Sequence, residues 1–199
     1  AETDGRPMGL AEVRIVGEDG GPVATGQSGE IHVRGPELFL GYLDASLDTA
    51  SFDADGFFAT GDLGRLDADG YLTVIGRTKD IIIRGGENLS AKEVEDHLFE
   101  HDGVADVAVV GLPDRILGER VAAFVVPRPD AALELDDIAG WLRTRSLAVQ
   151  KLPELVVITD ALPRTASGKI QKFRLREILA DYPEARGTVS RLRQPEGTR

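Results

Sequence analysis

Polar and apolar residues alternate with a period of two over the first part of the chain. In residues 9–16, Ala11, Val13 and Ile15 are interleaved with Glu12 and Arg14, and Ile31 and Val33 repeat the pattern in residues 29–34. Successive side chains of a strand point to opposite faces, so this spacing predicts half-buried strands. Residues 17–21 form a Gly/Asp turn cluster between them. Two Asp-x-Asp-Gly tetrapeptides follow, Asp53-Ala54-Asp55-Gly56 and Asp67-Ala68-Asp69-Gly70, each leading into an aromatic residue, Phe57 and Tyr71. The second joins residues 64–67 to 71–75 as a predicted hairpin. Such tetrapeptides also open calcium loops, but no Glu stands where a bidentate ligand would be needed, so they read as turns. Up to about residue 76 the chain is expected to be all-β.

The pattern then changes. The run Ile81-Ile82-Ile83 has a charged entry and ends in Gly85-Gly86, which predicts a buried strand and a tight turn. Ser90 and Glu93 have capping-box spacing and predict a helix over 91–101 with Val94 and Leu98 on one face. Residues 104–112, 120–126 and 155–158 are apolar and β-prone. Asp136-Asp137 opens a helix through Trp141 and Leu142, and residues 173–179 make a last short one. This order predicts a small open α+β sandwich. The fold class is thus α+β: a small all-β subdomain, distorted and barrel-like, over residues 1–78, then an α+β lid domain over 79–182 with a central sheet flanked by helices. Beyond Tyr182 the chain is rich in Arg, Gly, Pro and Thr without apolar period, which predicts a flexible tail over 183–199.

Composition narrows the chemistry. Hydrophobic residues make up 42% of the chain, enough for a core, and no apolar run approaches the roughly 18 residues of a membrane helix. No transmembrane segment is therefore expected. The N-terminus has no signal-peptide pattern and opens in polar loop chemistry without Met, so it does not read as a natural start. The absence of cysteine excludes disulfides, thiolate zinc sites and thiol catalysis, and fits a cytoplasmic protein. A net charge of −11 argues against general binding of nucleic acid or anionic membranes. Any nucleotide site must be built from a few aimed cations, and the only lysines are Lys79, Lys92, Lys151, Lys169 and Lys172.

Three blocks carry candidate chemistry. In Thr60-Gly61-Asp62-Leu63, a carboxylate on a tight Gly turn offers two acceptor oxygens to a vicinal diol; the same residues also suit a purely structural turn. In the block from Gly76 to Asn88, Arg77 and Lys79 put cations where the two patterns meet, a suitable place for a swivel. Gly85-Gly86 there allows close approach of a ligand or another backbone. Pro163-Arg164-Thr165-Ala166-Ser167-Gly168-Lys169-Ile170 is a small polar loop ending in one lysine. It is not a phosphate-binding P-loop, because Pro163 stands where that motif has Gly and Ile170 where it has Ser or Thr. Lys169 could act on a phosphate as a point charge, or simply be a solvated surface lysine.

Taken together, the order and spacing of these blocks resemble the adenylate-forming enzymes: acyl-CoA synthetases, peptide-synthetase adenylation domains and beetle luciferases. The resemblance begins near Gly5-Arg6-Pro7 and continues through Gly29-Glu30-Ile31, Val33-Arg34-Gly35-Pro36, Gly41-Tyr42 and the three blocks to about Leu179. Asn88, Glu93, Gly111-Leu112-Pro113-Asp114, Gly118-Glu119 and Ala123-Phe124-Val125-Val126 resemble the acyl-CoA synthetase branch. The resemblance implies an ATP- and Mg²⁺-dependent ligase that activates a carboxylic acid, fatty or related, as acyl-AMP and then passes it to CoA. It implies that Asp62 and Arg77 hold the ribose, that Lys79 is the hinge and that Gly85, Gly86 and Glu87 lie on the thiol path. Lys169 is implied as the catalytic lysine of adenylation. No residue is implied as a metal ligand.

The family's Ser/Thr/Gly-rich phosphate loop, its aromatic-Gly-x-Thr-Glu segment and its acyl pocket are not among these residues. The chain is therefore expected to be a C-terminal portion whose large N-terminal domain is missing, and to be inactive alone. Two other readings stand beside this one: an adenylation enzyme loading a carrier-protein thiol, and a non-catalytic interaction module that uses the lid fold.

Overall fold

Alternation in the first part of the chain produces four strands that pair with their neighbours in chain order: β1 (Glu12–Val16), β2 (Gly29–Arg34), β3 (Phe58–Leu66) and β4 (Leu72–Arg77), all antiparallel. The computed structural model describes residues 3–180 and 192–193, α+β in content. This first sheet belongs to one compact unit, Ala1–Lys79, and the remaining elements to a second, Asp80–Arg199. The core of the first unit is small, with Ile15, Val16, Ile31 and Phe57 buried. Phe39, Tyr42, Phe52 and Phe58 add a set of ring contacts with centroids 5.0–5.6 Å apart. The free edge of β4 takes backbone bonds from Asp4 N to Leu72 O (2.8 Å) and from Leu72 N to Gly5 O (2.7 Å).

Both Asp-x-Asp-Gly segments are turns built the same way. Asp53 Oδ1 accepts from the backbone of Asp55 and Phe57, and Asp67 Oδ1 accepts from Asp69 and Tyr71, all within 3.0 Å. In each turn one carboxylate oxygen orders the backbone, while Asp53 Oδ2 also pairs with Arg14 of β1. The all-β expectation omits one stretch. Residues 45–51 form a 3-10 turn followed by a single helical turn, α1 (Asp48–Ser51). Asp44 starts it by accepting from Ser46 N at 3.0 Å, a local cap that leaves no trace in apolar periodicity.

The second unit contains β5 (Ile81–Arg84), β6 (Glu87–Ser90), α2 (Ala91–Phe99), β7 (Val104–Asp114), β8 (Gly118–Pro127), α3 (Leu135–Thr144), β9 (Leu155–Ile158) and α4 (Lys172–Ala180). Strand β8 is its hub: it pairs with β7 along its whole length, with β9 in parallel, and with β5 at Arg84–Gly118. Both faces of the sheet are covered, so the strands read as continuous apolar runs. Val107, Val109, Val121 and Val125 pack with Val94 and Leu98 of α2 and Ile138 and Leu142 of α3. The alternate residues, Ala108, Val110, Ala122 and Phe124, pack with Leu175 and Leu179 of α4. Ser90 caps α2, its hydroxyl accepting from Glu93 N at 3.2 Å.

One expectation is revised here. The triple isoleucine is not buried throughout: Ile82 is 1% exposed but Ile83 is 55% exposed, because neighbours on a strand point to opposite faces. The tail expected over 183–199 lies outside the described residues, except that Leu192–Arg193 forms β10, parallel to β9. Among the described residues no helix is long and apolar enough to cross a membrane.

Candidate functional site

The first group of candidate residues sits on β3 and β4. Asp62 was expected on a turn; it lies instead inside β3, at a kink where Gly61 has φ +73°. The pairing of β3 with β2 and β4 shifts register on either side of this kink, between Glu30 and His32 and between Leu63 and Gly64. Such irregularities re-aim side chains within a continuous ladder. Three bonds hold the kink. Thr60 Oγ1 donates to Ile31 O (2.7 Å) and accepts from Asp62 N (3.0 Å), and Glu30 Oε1 accepts from Gly61 N (3.0 Å). Sequence reasoning assigned no role to Thr60 or Glu30, though both lie in quoted motifs.

Asp62 is paired in register with Arg77 on β4. Arg77 Nε donates to Asp62 Oδ1 at 2.6 Å, and both side chains remain open to solvent. Asp62 Oδ2 has no hydrogen-bond partner among the described residues. The pair therefore presents a free acceptor oxygen beside a guanidinium, a set of groups that fits a sugar diol. Lys79, two residues on, is exposed in the 3-10 turn Thr78–Asp80.

In the second unit, Gly85 (φ +59°) and Gly86 (φ +85°) form the two-residue turn between β5 and β6. Two left-handed residues in succession match the type I′ geometry that suits the twist of paired strands. A Cβ added at either glycine would meet nothing within 4 Å, so the surface above the turn is open. The hairpin is fastened from below. Gly85 N donates to Leu117 O (2.7 Å), Ile83 N to Glu119 Oε2 (2.8 Å), and Arg84 grips Glu154 through two bonds of 3.0 and 3.2 Å. Glu87 is exposed and accepts from Gln150 Nε2 at 3.0 Å.

Lys169 stands on the small polar loop, which is closed by hydrogen bonds. Thr165 N donates to Lys169 O (2.8 Å), Gly168 N to Thr165 O (2.9 Å) and Lys169 N to Thr165 Oγ1 (3.1 Å). Arg164 donates to Gly168 O and to Asp106 of β7, which ties the loop to the sheet. Composition alone does not reveal such cross-bonds. Lys169 is exposed and has no ion-pair partner among the described residues. An uncompensated ammonium on a braced loop is free to meet a phosphate. Among the described residues no group of three or more acidic or histidine side chains could hold a metal ion.

A kinked antiparallel sheet with an acid–arginine pair, and a helix-flanked sheet with a Gly-Gly hairpin and a lysine turn, define the C-terminal region of an adenylate-forming enzyme. The chain belongs to that family: residues 93–169 match the AMP-binding enzyme C-terminal domain and residues 1–43 match the AMP-binding enzyme family. A medium-chain fatty-acid–CoA ligase from Escherichia coli is 42% identical over 177 residues, 88% of this chain and 31% of that protein. A salicyl-AMP ligase / salicyl-S-ArCP synthetase from Mycobacterium tuberculosis is 43% identical over 190 residues, 94% of this chain and 33% of that protein. The crystal structure of ATP-bound MatB from Rhodopseudomonas palustris is similar with a TM-score of 0.83 and 37% identity, covering 90% of this chain and 36% of that one. The chain thus spans about a third of the length of the curated relatives it matches.

Proposed function

We propose that this chain is the nucleotide-closing and thiol-delivering part of an AMP-forming acid–thiol ligase, with CoA as acceptor and a fatty or related acid as substrate. The observation that carries the reading is the division of labour between the units. One holds Asp62 and Arg77 side by side; the other holds an exposed Lys169 on a braced loop and an open Gly85-Gly86 turn. In this reading Asp62 Oδ2 accepts from a ribose hydroxyl and Arg77 holds the same sugar. The acid's carboxylate attacks the α-phosphorus of ATP and pyrophosphate leaves. Lys169 lies between the two anions and reduces their repulsion as the bond forms. The second unit then turns about Lys79, withdrawing Lys169 and bringing Gly85, Gly86 and Glu87 alongside the pantetheine arm. The thiol displaces AMP from the acyl group. Mg²⁺ accompanies the phosphates of ATP, and no residue of this chain is assigned to it. Supply of both ATP and CoA suggests the cytoplasm.

Substituting Lys169 tests the assignment. In the complete enzyme, Lys169→Ala should lower single-turnover formation of acyl-AMP by about 10²–10³-fold, the effect of losing one aimed electrostatic group. Thioester formation from pre-made acyl-AMP should be retained. Equal loss in both steps would refute the role. The M. tuberculosis relative, named for a salicyl-S-ArCP product, favours a second reading in which the acceptor is a carrier-protein thiol. Competition between CoA and a carrier bearing phosphopantetheine separates the two.

A further inference from the structure

Four charged side chains outside the groups just described gather in the second unit. Asp80 is the first residue of that unit, directly after Lys79. Its carboxylate accepts from Arg176 Nη2 at 3.1 Å and lies 3.6 Å from Lys172 Nζ. Lys172 Nζ also lies 2.8 Å from Glu95 on α2, and Glu95 accepts from Val109 N on the outer edge of β7 at 2.6 Å. Lys172 and Arg176 are four residues apart on α4 and so share one face. Three of the groups are largely withdrawn from solvent, with side-chain exposure of 15% for Lys172, 18% for Glu95 and 21% for Asp80, while Arg176 is 35% exposed. Burial lifts the Glu95 carboxyl above its ordinary value, and Lys172 is the largest opposing influence.

Charges drawn from water and paired this way add little net stability, but they specify one arrangement, since any other leaves a buried charge alone. The arrangement here is a particular one. Helix α4 begins three residues after Lys169, and the loop is closed just before it by Gln171 N donating to Pro163 O at 2.8 Å. Asp80 ends the 3-10 turn that holds Lys79. We propose that Asp80, Glu95, Lys172 and Arg176 form a clamp that locks the chain just beyond Lys79 to the base of the Lys169 loop, so that these two segments are positioned as one body. Its importance for the reaction rests on the adenylation role proposed for Lys169; the clamp itself does not. The four are positioning residues. With the pivot at Lys79 proposed above, the clamp makes Asp80 part of the turning body, so that a rotation there is passed on to Lys169.

Energetic coupling between two segments is reciprocal, which supplies the test. Amide hydrogen exchange of the 199-residue chain is followed in Asp80→Asn and, separately, in Lys172→Met. Asp80→Asn should speed exchange in residues 164–171, beyond its ion-pair partners Lys172 and Arg176, by about tenfold or more. Lys172→Met should do the same to residues 80–84. Strand β8 should keep its protection in both, which guards against general unfolding, and Lys172→Arg should restore the native pattern. If Lys172→Met does not fold, Asp80→Asn together with Glu95→Gln supplies the same readout. Exchange altered only next to each substituted residue would overturn the clamp. Failure of the Lys169 reading would show instead as an unaltered adenylation step in Lys169→Ala.

Discussion

Asp62 and Arg77 make a close charged contact in the first unit, at 2.6 Å, yet its energetic meaning is small. An ion pair open to solvent contributes less than about 1 kcal/mol, because water already solvates both partners. Asp62→Asn should therefore leave the melting temperature of the chain almost unchanged. Loss of a hydrogen bond from a ribose hydroxyl to a charged acceptor is worth about 1.5–3 kcal/mol. The same substitution should weaken nucleotide binding to the complete enzyme by roughly tenfold or more. Thermal denaturation and nucleotide titration read the two effects separately; a large stability loss with unchanged binding would make the pair structural. Asp62 was legible as a candidate from its motif. Its placement was not, because the kink depends on two bonds between β2 and β3, from Thr60 to Ile31 O and from Gly61 N to Glu30.

Hairpins carry the proposed chemistry at the scale of elements, and each is held by a neighbour distant in sequence. The Gly85-Gly86 turn has open space above it but left-handed backbone at both positions. Gly86→Ala should thus destabilise by about 1–2 kcal/mol through backbone conformation alone, read as a shift in urea midpoint. The turn that receives Gly85 N is itself capped by Asp114, which accepts from Ile116 N at 2.9 Å and Leu117 N at 3.0 Å. Those bonds, that from Leu117 first, hold the Asp114 carboxyl below its ordinary value of 3.8. A carboxyl depressed in the folded state stabilises fully above its unfolded value, and this contribution is lost as pH falls through the folded one. The stability advantage of the native chain over Asp114→Asn should therefore be constant above pH 3.8 and vanish on further acidification. Urea midpoints measured against pH check this, and an advantage that grew in acid would contradict the bond pattern.

The whole molecule combines two units of different character. The first has few buried side chains, whereas the second buries both faces of its sheet. The Ser/Thr/Gly-rich phosphate loop that the family resemblance implies for catalysis is not among their residues. We expect the 199 residues alone to release no pyrophosphate from ATP and any acid. Steady-state pyrophosphate release above background would refute that expectation and would mean that a complete site is assembled from these residues.

Local patterns were enough to read the α+β class, the positions of most strands, the two Asp-x-Asp-Gly turns and the family resemblance. Each depends on residues within a few positions of one another: alternation sets a strand, a short polar side chain sets a turn, and a motif keeps its spacing along the chain. Tertiary structure decided what those elements are fastened to. It placed Asp62 on a strand kink, closed the Lys169 loop through Arg164 and Asp106, and gathered Asp80, Glu95, Lys172 and Arg176 from three elements. A charge shows its type in the sequence, but its partner is set by which chain segments packing brings within a few ångströms, here separated by as many as 96 residues.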